Sequence, residues 1–304
     1  MNLDLDLSRF TNTKLKKIVN VYQLDYINGK SPGLGDFIRG SFCFMQLAKL
    51  LNLEFDIDIS NHPISKFIHV RPIQGLDYTK IEFYTEYNRS EDGKNNYENV
   101  LNNVNLDFIY KSINWLNSKD CEVFGFFSNA FPIIVKHTQQ EKNIINLKLL
   151  PKPFMINYVN KTLHELKLTK KGYGVIHIRT GDKYLINKES ISKEFINKIR
   201  NIIKKNIVPY KKYIIISDNN KLKFNLKSIP GLNAIITKIE HVGGEGINKE
   251  NSEGIMNTML DYYLMCNSNA ILIISVYGHV SGFSKYSAVL NNIPYKYIQI
   301  EDKI

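Results

Sequence analysis

The stretch GVIHIRTGDKY, residues 174–184, is the part of the sequence from which the fold is most readily inferred. A run of apolar residues leads directly into His177, Arg179 and Asp182, whose polar side chains could take part in ligand binding. In an extended strand, His177 and Arg179 point to the same face because they are two residues apart. Gly181 can adopt a positive φ, so the chain is expected to turn there. The pattern predicts a buried strand that delivers polar side chains to one end of a sheet.

Runs rich in Ile and Val alternate with amphipathic helical patterns on both sides of this strand. Strands that are buried on both faces and alternate with helices indicate a doubly wound parallel sheet. The predicted strands are 16–26, 53–60, 173–179, 210–218, 234–239, 270–276 and 295–300, and the predicted helices are one that Asp36 caps, 190–206, 254–267 and 281–291. The sequence therefore predicts an α/β protein of two Rossmann-like domains that face a central cleft.

The domain boundary is expected in the polar, proline-containing region 150–172. We place an N-terminal domain at residues 1–165 and a C-terminal domain at 166–304. Residues 75–150 carry weaker patterns and are expected to be mostly helical, with one or two strands. The polar stretch 87–99 is predicted to be an exposed loop or the start of a helix.

Composition narrows the functional classes. The 304 residues are 43% hydrophobic, enough for a full core, which excludes a globally disordered chain. The net charge of +11 favours anionic partners, but the lysines are scattered without a dense basic block. A solvated basic surface is the favoured interpretation, and a polyanion-binding protein remains the alternative.

The cysteines and the N-terminus indicate a reducing compartment. Cys43, Cys121 and Cys266 are far apart and fit neither a disulfide framework nor a metal-binding spacing. The first ten residues lack a signal-peptide pattern, and no apolar run is long enough to cross a membrane. We therefore expect a cytoplasmic protein with free thiols.

Two loops before helices have the composition of anion-binding turns. Gly33 and Gly35 in SPGLGDFIRG let the backbone approach a ligand closely, with Asp36 as the expected N-cap. Ser281 and Ser284 occupy the start of another helix, where free N–H groups can bind phosphate oxygens. A tight turn and ordinary helix capping explain the two patterns about equally well.

The sequence contains no metal-binding motif of the HExxH or DxD type. Asp56 and Asp58 are the remaining candidates for a cation. Alternation within a strand is expected to place both on a solvated face, so we predict no metal site.

The order of these stretches resembles that of GDP-fucose-dependent fucosyltransferases, closest to the α-1,2 family and related to the α-1,6- and protein O-fucosyltransferases. The corresponding stretches are GLGDF, HIRTGDKY, IISDN, DYYLM and SGFSKYSAVL, which together span roughly residues 30–295. The resemblance implies a GT-B fold, with the nucleotide sugar bound by the C-terminal half and the acceptor by the N-terminal half. It also implies inverting transfer of fucose from GDP-fucose to a hydroxyl of a glycan, without a metal or other cofactor.

The resemblance also assigns roles to individual residues. Arg179 would hold the donor diphosphate, His177 would contact the nucleoside or phosphate, and Asp182 would brace the turn. Asp36 is the first candidate for a general base. The other expected contacts to the donor or acceptor are Gly33, Gly35, Ser217, Asp218, Asp261, Ser281, Phe283 and Ser284.

Three departures from the family pattern bear on the donor. Thr180 stands in place of a second arginine, Asp36 in place of an asparagine, and Lys285–Tyr286 in place of two tryptophans. Another nucleotide sugar therefore remains an alternative donor. The sequence leaves the acceptor, the linkage and the oligomeric state open.

Overall fold

Two parallel sheets organise the chain, and each belongs to its own unit. The computed structural model describes residues 5–86, 105–181, 191–243 and 247–300. Among these, residues 5–150 with residue 243 form the first unit, and residues 151–242 with 247–300 form the second. The helix that follows Pro151 packs with the second unit. Both units combine parallel strands with helices, as the sequence predicts.

The first unit has a parallel sheet with the strand order β4-β1-β6-β5 and a separate antiparallel hairpin, β2-β3. Its strands are β1 (Lys17–Val21), β2 (Asp25–Tyr26), β3 (Gly29–Lys30), β4 (Glu54–Asp58), β5 (Glu82–Tyr84) and β6 (Val123–Ser128). Its helices are α1 (Leu34–Leu50), α2 (Leu106–Asn117) and α3 (Gln139–Lys148). The described parts of region 75–150 contain the helices α2 and α3 and the strands β5 and β6, so the strands were predicted, but most of these described residues are not helical as expected. The loop or helix start predicted at 87–99 lies outside the described residues.

Helix α1 lies unusually close to the end of β6. A Cβ atom on Gly40 would lie 1.6 Å from the carbonyl oxygen of Ser128, so only glycine fits there. Next to this contact, the amide of Asn20 donates to Ser41 Oγ and its oxygen accepts from the Ser128 N–H. Buried aromatic and aliphatic residues of α1, α2 and β6 fill the core on the same side.

The second unit has five parallel strands in the order β11-β10-β7-β8-β9. Its strands are β7 (Gly174–Arg179), β8 (Tyr213–Ser217), β9 (Leu232–Ala234), β10 (Ala270–Ser275) and β11 (Tyr295–Gln299). Its helices are α4 (Pro153–Glu165), α5 (Lys193–Asn206), α6 (Asn220–Leu226), α7 (Ser252–Cys266) and α8 (Gly282–Leu290). The chain winds outward from β7 to β9, then returns to β10 on the other side of β7. Ligands bind where such an order reverses, which here is between the carboxyl ends of β7 and β10.

Isoleucines fill the core of the second unit. Ile176, Ile178, Ile215 and Ile274 of the central strands pack with the apolar face of α5. The turn before β8 lies at the opposite, amino-terminal edge of the sheet. Tyr210 in that turn is fully exposed and has a φ of 66°.

Several sequence predictions require correction. The predicted strand 234–239 is wrong beyond residue 234, because strand β9 ends at Ala234. The segment that follows is hydrogen-bonded instead by side chains of α6 and α7, which donate to the backbone of Thr237 and Lys238. The predicted strand 16–26 is divided in the structure: Lys17–Val21 form β1 in the parallel sheet, and Asp25–Tyr26 form β2 of the separate hairpin.

Two predictions in the first unit are also wrong. Helix α1 begins at Leu34 with Gly33 as its N-cap, so Asp36 lies in the first turn and is not the cap. Asp58 is buried and accepts hydrogen bonds from Ser60 and Tyr78, and Asp56 pairs with Lys148 of α3 at 2.6 Å. Alternation within β4 predicted that both aspartates face solvent, but residues that are distant in the sequence, Tyr78 and Lys148, cover them.

Candidate functional site

The register of the central strands brings the predicted site residues of the second unit to one edge. Arg179 of β7 aligns with Ser275 of β10, and Ile178 aligns with Ser217 of β8. All three strands therefore end at the same level. Gly181 has a φ of 106°, which confirms the turn predicted after Arg179.

The carboxylate of Asp218 holds Arg179 and the following residue. Nη1 of Arg179 donates to Oδ2 of Asp218 at 2.6 Å. The backbone N–H and the hydroxyl of Thr180 donate to Oδ1 at 3.1 Å and 2.6 Å, and Ser217 Oγ lies 3.3 Å from the same oxygen. The Arg179 side chain is 17% exposed, so a largely buried ion pair fixes its position and leaves part of it accessible. Asp182, which was expected to brace this turn, lies outside the described residues.

His177 is bonded across the reversal point of the sheet. Its Nδ1 lies 2.9 Å from Oγ of Ser284, which belongs to the first turn of α8. Burial lowers the pKa of His177 to about 4, although the negative charge of Asp218 acts to raise it. The imidazole is therefore neutral at neutral pH, with one N–H donor and one acceptor.

The beginning of α8 adds backbone donors and an aromatic ring. Ser281 is the N-cap, but its side chain makes no capping hydrogen bond. Ser284 is fully buried, and the Phe283 ring lies 6.1 Å from His177 and 5.8 Å from Tyr262. Plain capping by Ser281 and Ser284 therefore does not explain these side chains.

The charge of Lys223, a residue that the sequence analysis did not single out, acts on Asp261. Asp261 on α7 is 7% exposed and Lys223 on α6 is 1% exposed. Among the described residues, neither side chain forms a hydrogen bond or an ion pair. Burial raises the pKa of Asp261 to about 7, and the positive charge of Lys223 opposes that rise. Burial likewise lowers the pKa of Lys223, against the attraction of Asp261 and Asp218.

Lys223 was missed, although the sequence contains a weak signal for its burial. It lies beside Leu222 and three residues before Leu226, on the apolar face of the short helix after IIISD. A lysine at such a position is usually taken to extend into solvent. Its burial depends on α7, which comes much later in the chain.

The remaining candidate residues lie in the first unit. Gly33 precedes α1 in an extended conformation, with open space around the position of a side chain, and Gly35 is buried in the first turn. Asp36 pairs with Arg39 at 2.9 Å, and its side chain is 35% exposed.

Within the described ranges, no group of three or more His, Cys, Asp or Glu side chains has the arrangement of a metal site. The three cysteines are free, as predicted, and Cys43 is buried. No helix in the same ranges has the length and hydrophobicity that a membrane crossing requires.

No protein-family model matches this sequence, and neither does any curated protein. The structure, however, is similar to solved structures of fucosyltransferases. A mutant of Arabidopsis thaliana FUT1 in complex with GDP matches with a TM-score of 0.57 at 10% identity, over 97% of this chain and 74% of that one. The α-1,6-fucosyltransferase NodZ co-crystallised with GDP matches with a TM-score of 0.53 at 12% identity, over 95% and 96% of the two chains. NodZ from Bradyrhizobium matches with a TM-score of 0.51 at 13% identity, over the same shares of the two chains.

These similarities cover nearly the whole chain and establish its fold class. The protein is an α/β protein of the GT-B type with two Rossmann-like domains, which confirms the predicted fold. At this level of identity the similarity concerns the fold, and function has to be argued from the site.

Proposed function

We propose that the protein is an inverting glycosyltransferase that moves fucose from GDP-fucose to a hydroxyl of a glycan acceptor, without a metal. The observation that carries this proposal is Arg179, held by Asp218 at the edge of the sheet where the strand order reverses. A fold shared with fucosyltransferase structures, two of which contain GDP, supports the donor class. The motif resemblance favours the α-1,2 family. The second unit would bind the donor and the first unit the acceptor.

The reaction needs positive charge at the leaving diphosphate. As the bond between fucose and the β-phosphate breaks, the sugar gains oxocarbenium character and negative charge accumulates on the phosphate oxygens. The Arg179 guanidinium can grip two of these oxygens, and the free N–H groups at the start of α8 can bind another. Lys285 lies in the first turn of α8 and would replace the charge lost at Thr180.

The other contacts follow from the same placement. The neutral His177 offers a hydrogen bond to the ribose or a phosphate, and Phe283 offers a ring face to the nucleoside. Ser217, Ser281 and Ser284 would line the donor pocket, and Asp182 would brace the turn after Arg179. Asp36 would accept the proton of the acceptor hydroxyl, with Gly33 and Gly35 beside it.

Ligand binding and turnover together test the proposal. In a thermal-shift screen, GDP and GDP-fucose should stabilise the protein, by about 2.7 kcal/mol at roughly 100 times the dissociation constant. Arg179→Ala should lower the rate of fucose transfer at least about a hundredfold, the typical effect of losing one fixed donor. Arg179→Gln, which can still donate to Asp218, keeps the test valid if the alanine variant unfolds. Arg71→Ala, at an exposed arginine of the first unit, is the matched control.

Other outcomes would contradict specific parts of the proposal. Stabilisation by a different nucleotide sugar alone would overturn the donor assignment. Salt-sensitive binding to DNA or heparin without any nucleotide effect would favour the polyanion-binding alternative. An Asp36→Asn variant with undiminished transfer across pH would remove Asp36 as the base.

A further inference from the structure

The amino-terminal edge of the second sheet collects lysines that are scattered along the sequence. Five segments lead into its strands, residues 166–173, 204–213, 227–231, 266–270 and 290–296. Gly174, where β7 begins, aligns with Tyr213 of β8 and Ala270 of β10. Lys296 of β11 donates to Asn206 at the end of α5, with 2.8 Å between Nζ and Oδ1. The five segments therefore lie side by side, and we call the surface that they form the basic edge.

The basic edge carries nine lysines and no acidic residue to balance them. Three of the lysines lie in 166–173, four in 204–213, and one each in 227–231 and 290–296. Eight are exposed, and Lys211 is half-buried. Glu165, the acidic residue that immediately precedes the first segment, pairs with Lys161 at 3.9 Å. The basic edge thus contributes most of the excess positive charge of a chain whose net charge is +11.

A lysine-rich composition does not by itself explain this edge. The whole chain has 29 acidic residues against 40 basic ones, so an even distribution would place several acidic residues in these segments. Acidic residues such as Asp218 and Glu253 lie instead at the opposite edge, after β8 and at the beginning of α7. Like charges gathered on one surface repel each other and cost stability. An anionic partner would remove that repulsion.

Exposed apolar side chains stand among these lysines. Val208 is 59% exposed, Tyr295 is 40% exposed, and Tyr210 is fully exposed. The N–H of Val208 donates to Tyr213 Oη at 2.9 Å, and the N–H of Lys211 donates to the carbonyl of Val208 at 3.3 Å. These bonds fix a turn in which Tyr210 has a φ of 66°, a conformation that bulky residues rarely adopt. The turn therefore presents an aromatic ring to solvent in spite of an unfavourable backbone conformation.

An anionic lipid surface is the partner that uses both the charge and the apolar groups. Acidic headgroups attract lysines near a bilayer, and tyrosine is favoured at the boundary between headgroups and hydrocarbon. A nucleic acid could bind the lysines, but its phosphate backbone offers nothing to Val208. The basic edge also contains no arginine, the residue that most often grips phosphates and base edges with two hydrogen bonds.

We propose that the basic edge binds the surface of a bilayer that contains anionic lipids, with its lysines against the headgroups and Tyr210 at the interface. The inference does not depend on the proposed function, since the basic edge lies opposite the edge that carries Arg179. It gives a role to the positive charge, which the proposed transfer reaction leaves unexplained.

Binding to vesicles of two compositions tests the contribution of the lysines. In a sedimentation experiment, wild-type protein should bind phosphatidylcholine vesicles that contain phosphatidylglycerol and should not bind vesicles of phosphatidylcholine alone. Replacing the exposed Lys170, Lys204 and Lys205 together by Gln should weaken binding about a hundredfold, because each lysine near an anionic surface contributes about fivefold.

A second triple variant is the matched control. It replaces Lys16, Lys49 and Lys136 by Gln, three exposed lysines of the first unit, and so makes the same change in net charge. This variant should retain most of the wild-type affinity. Equal losses of affinity in the two triple variants would show attraction to the overall charge and would overturn the assignment to the basic edge.

Fluorescence quenching tests the contact of the turn with lipid. The sequence has a single tryptophan, Trp115, which lies in the first unit. In Tyr210→Trp, vesicles that contain brominated phosphatidylglycerol should quench the added fluorescence, while the emission of the wild-type protein should remain unchanged. Binding without quenching in Tyr210→Trp would overturn the placement of Tyr210 at the interface.

Two further outcomes would overturn the choice of partner. One is wild-type protein that binds neither kind of vesicle. The other is salt-sensitive binding to duplex DNA or heparin that is tighter than binding to anionic vesicles and is weakened by the Lys170, Lys204 and Lys205 replacements. None of these measurements involves a nucleotide sugar, so their failure leaves the proposed function untouched.

Discussion

The guanidinium of Arg179 is held by a carboxylate that follows a different strand. The HIRTGD pattern predicted an arginine at a strand end, and β7 does end at Arg179. Its partner Asp218 lies 39 residues away and meets it only because β7 and β8 pair in parallel. The sequence analysis expected Asp182 to brace this turn, and spacing along the chain could not indicate the contact with Asp218.

Thr180, which departs from the family pattern, has a structural role of its own. Judged by charge alone, threonine in place of arginine is a loss at a phosphate site. Both its hydroxyl and its backbone N–H donate to Asp218, so the residue helps to fix the carboxylate that orients Arg179. An arginine at this position would lack the short hydroxyl donor.

Asp261 and His177 should give the stability of the protein opposite dependences on pH. The pKa of Asp261 rises from 3.8 to about 7 on burial, so its contribution to stability falls as pH rises from about 4 to 7. The pKa of His177 falls from 6.5 to about 4, so its contribution rises with pH between about 4 and 6.5. Each pKa unit corresponds to about 1.4 kcal/mol. The charged group that acts on the pKa of Asp261 from a neighbouring helix is Lys223.

Asp261→Asn should therefore remove the loss of stability that Asp261 causes between about pH 4 and 7. The variant should become more stable as pH rises to about 6.5. Urea unfolding at a series of pH values measures this directly. Asp25→Asn, at an exposed position, should retain the wild-type profile. Identical profiles for wild type and Asp261→Asn would show that the buried carboxylate does not titrate in this range.

At the scale of elements, hydrophobic periodicity predicted most strands and helices of the second unit to within a few residues. It failed at 234–239 because AIITKI has the composition of a strand but lacks a neighbouring strand to pair with beyond Ala234. Ile236 is exposed there, and side chains of α6 and α7 satisfy the backbone. Whether this segment pairs with a strand or bonds to helix side chains depends on tertiary contacts, which cannot be predicted from its composition.

The contact of α1 with β6 gives a prediction at the same scale. Gly40→Ala should destabilise the protein by about 3 kcal/mol or more, because the added methyl group meets a backbone carbonyl that cannot move aside cheaply. Gly33→Ala is the control, since no atom lies within 4 Å of its methyl group, and it should change stability by less than about 1 kcal/mol. Equal unfolding midpoints in urea for the two variants would contradict this packing.

At the scale of the whole molecule, the sequence was sufficient to predict the fold class, and the similarity to solved structures confirms it. Motif order alone indicated the donor class, which remains a proposal. The sequence could not identify the Lys223–Asp261 pair, because that pair requires the mutual placement of α6 and α7.

The metal dependence of fucose transfer tests whether protein groups alone stabilise the charge of the leaving diphosphate, as we propose. If Arg179 and backbone N–H groups stabilise the departing diphosphate, fucose transfer should continue after exhaustive treatment with EDTA. A metal acting as Lewis acid contributes several kcal/mol, so its removal would lower the rate more than about a hundredfold. A rate that collapses with EDTA and returns with Mg²⁺ would contradict the proposal, and a metal-dependent transferase run in parallel verifies the chelation.

The parallel arrangement of the second unit has a practical consequence for the turn at Tyr210. That turn lies at the amino-terminal edge, one strand length or about 16 Å from the edge that carries Arg179 and Asp218. A biotin coupled to a cysteine introduced at position 210 would anchor the protein to a sensor surface with the edge that carries Arg179 and Asp218 directed into the solution.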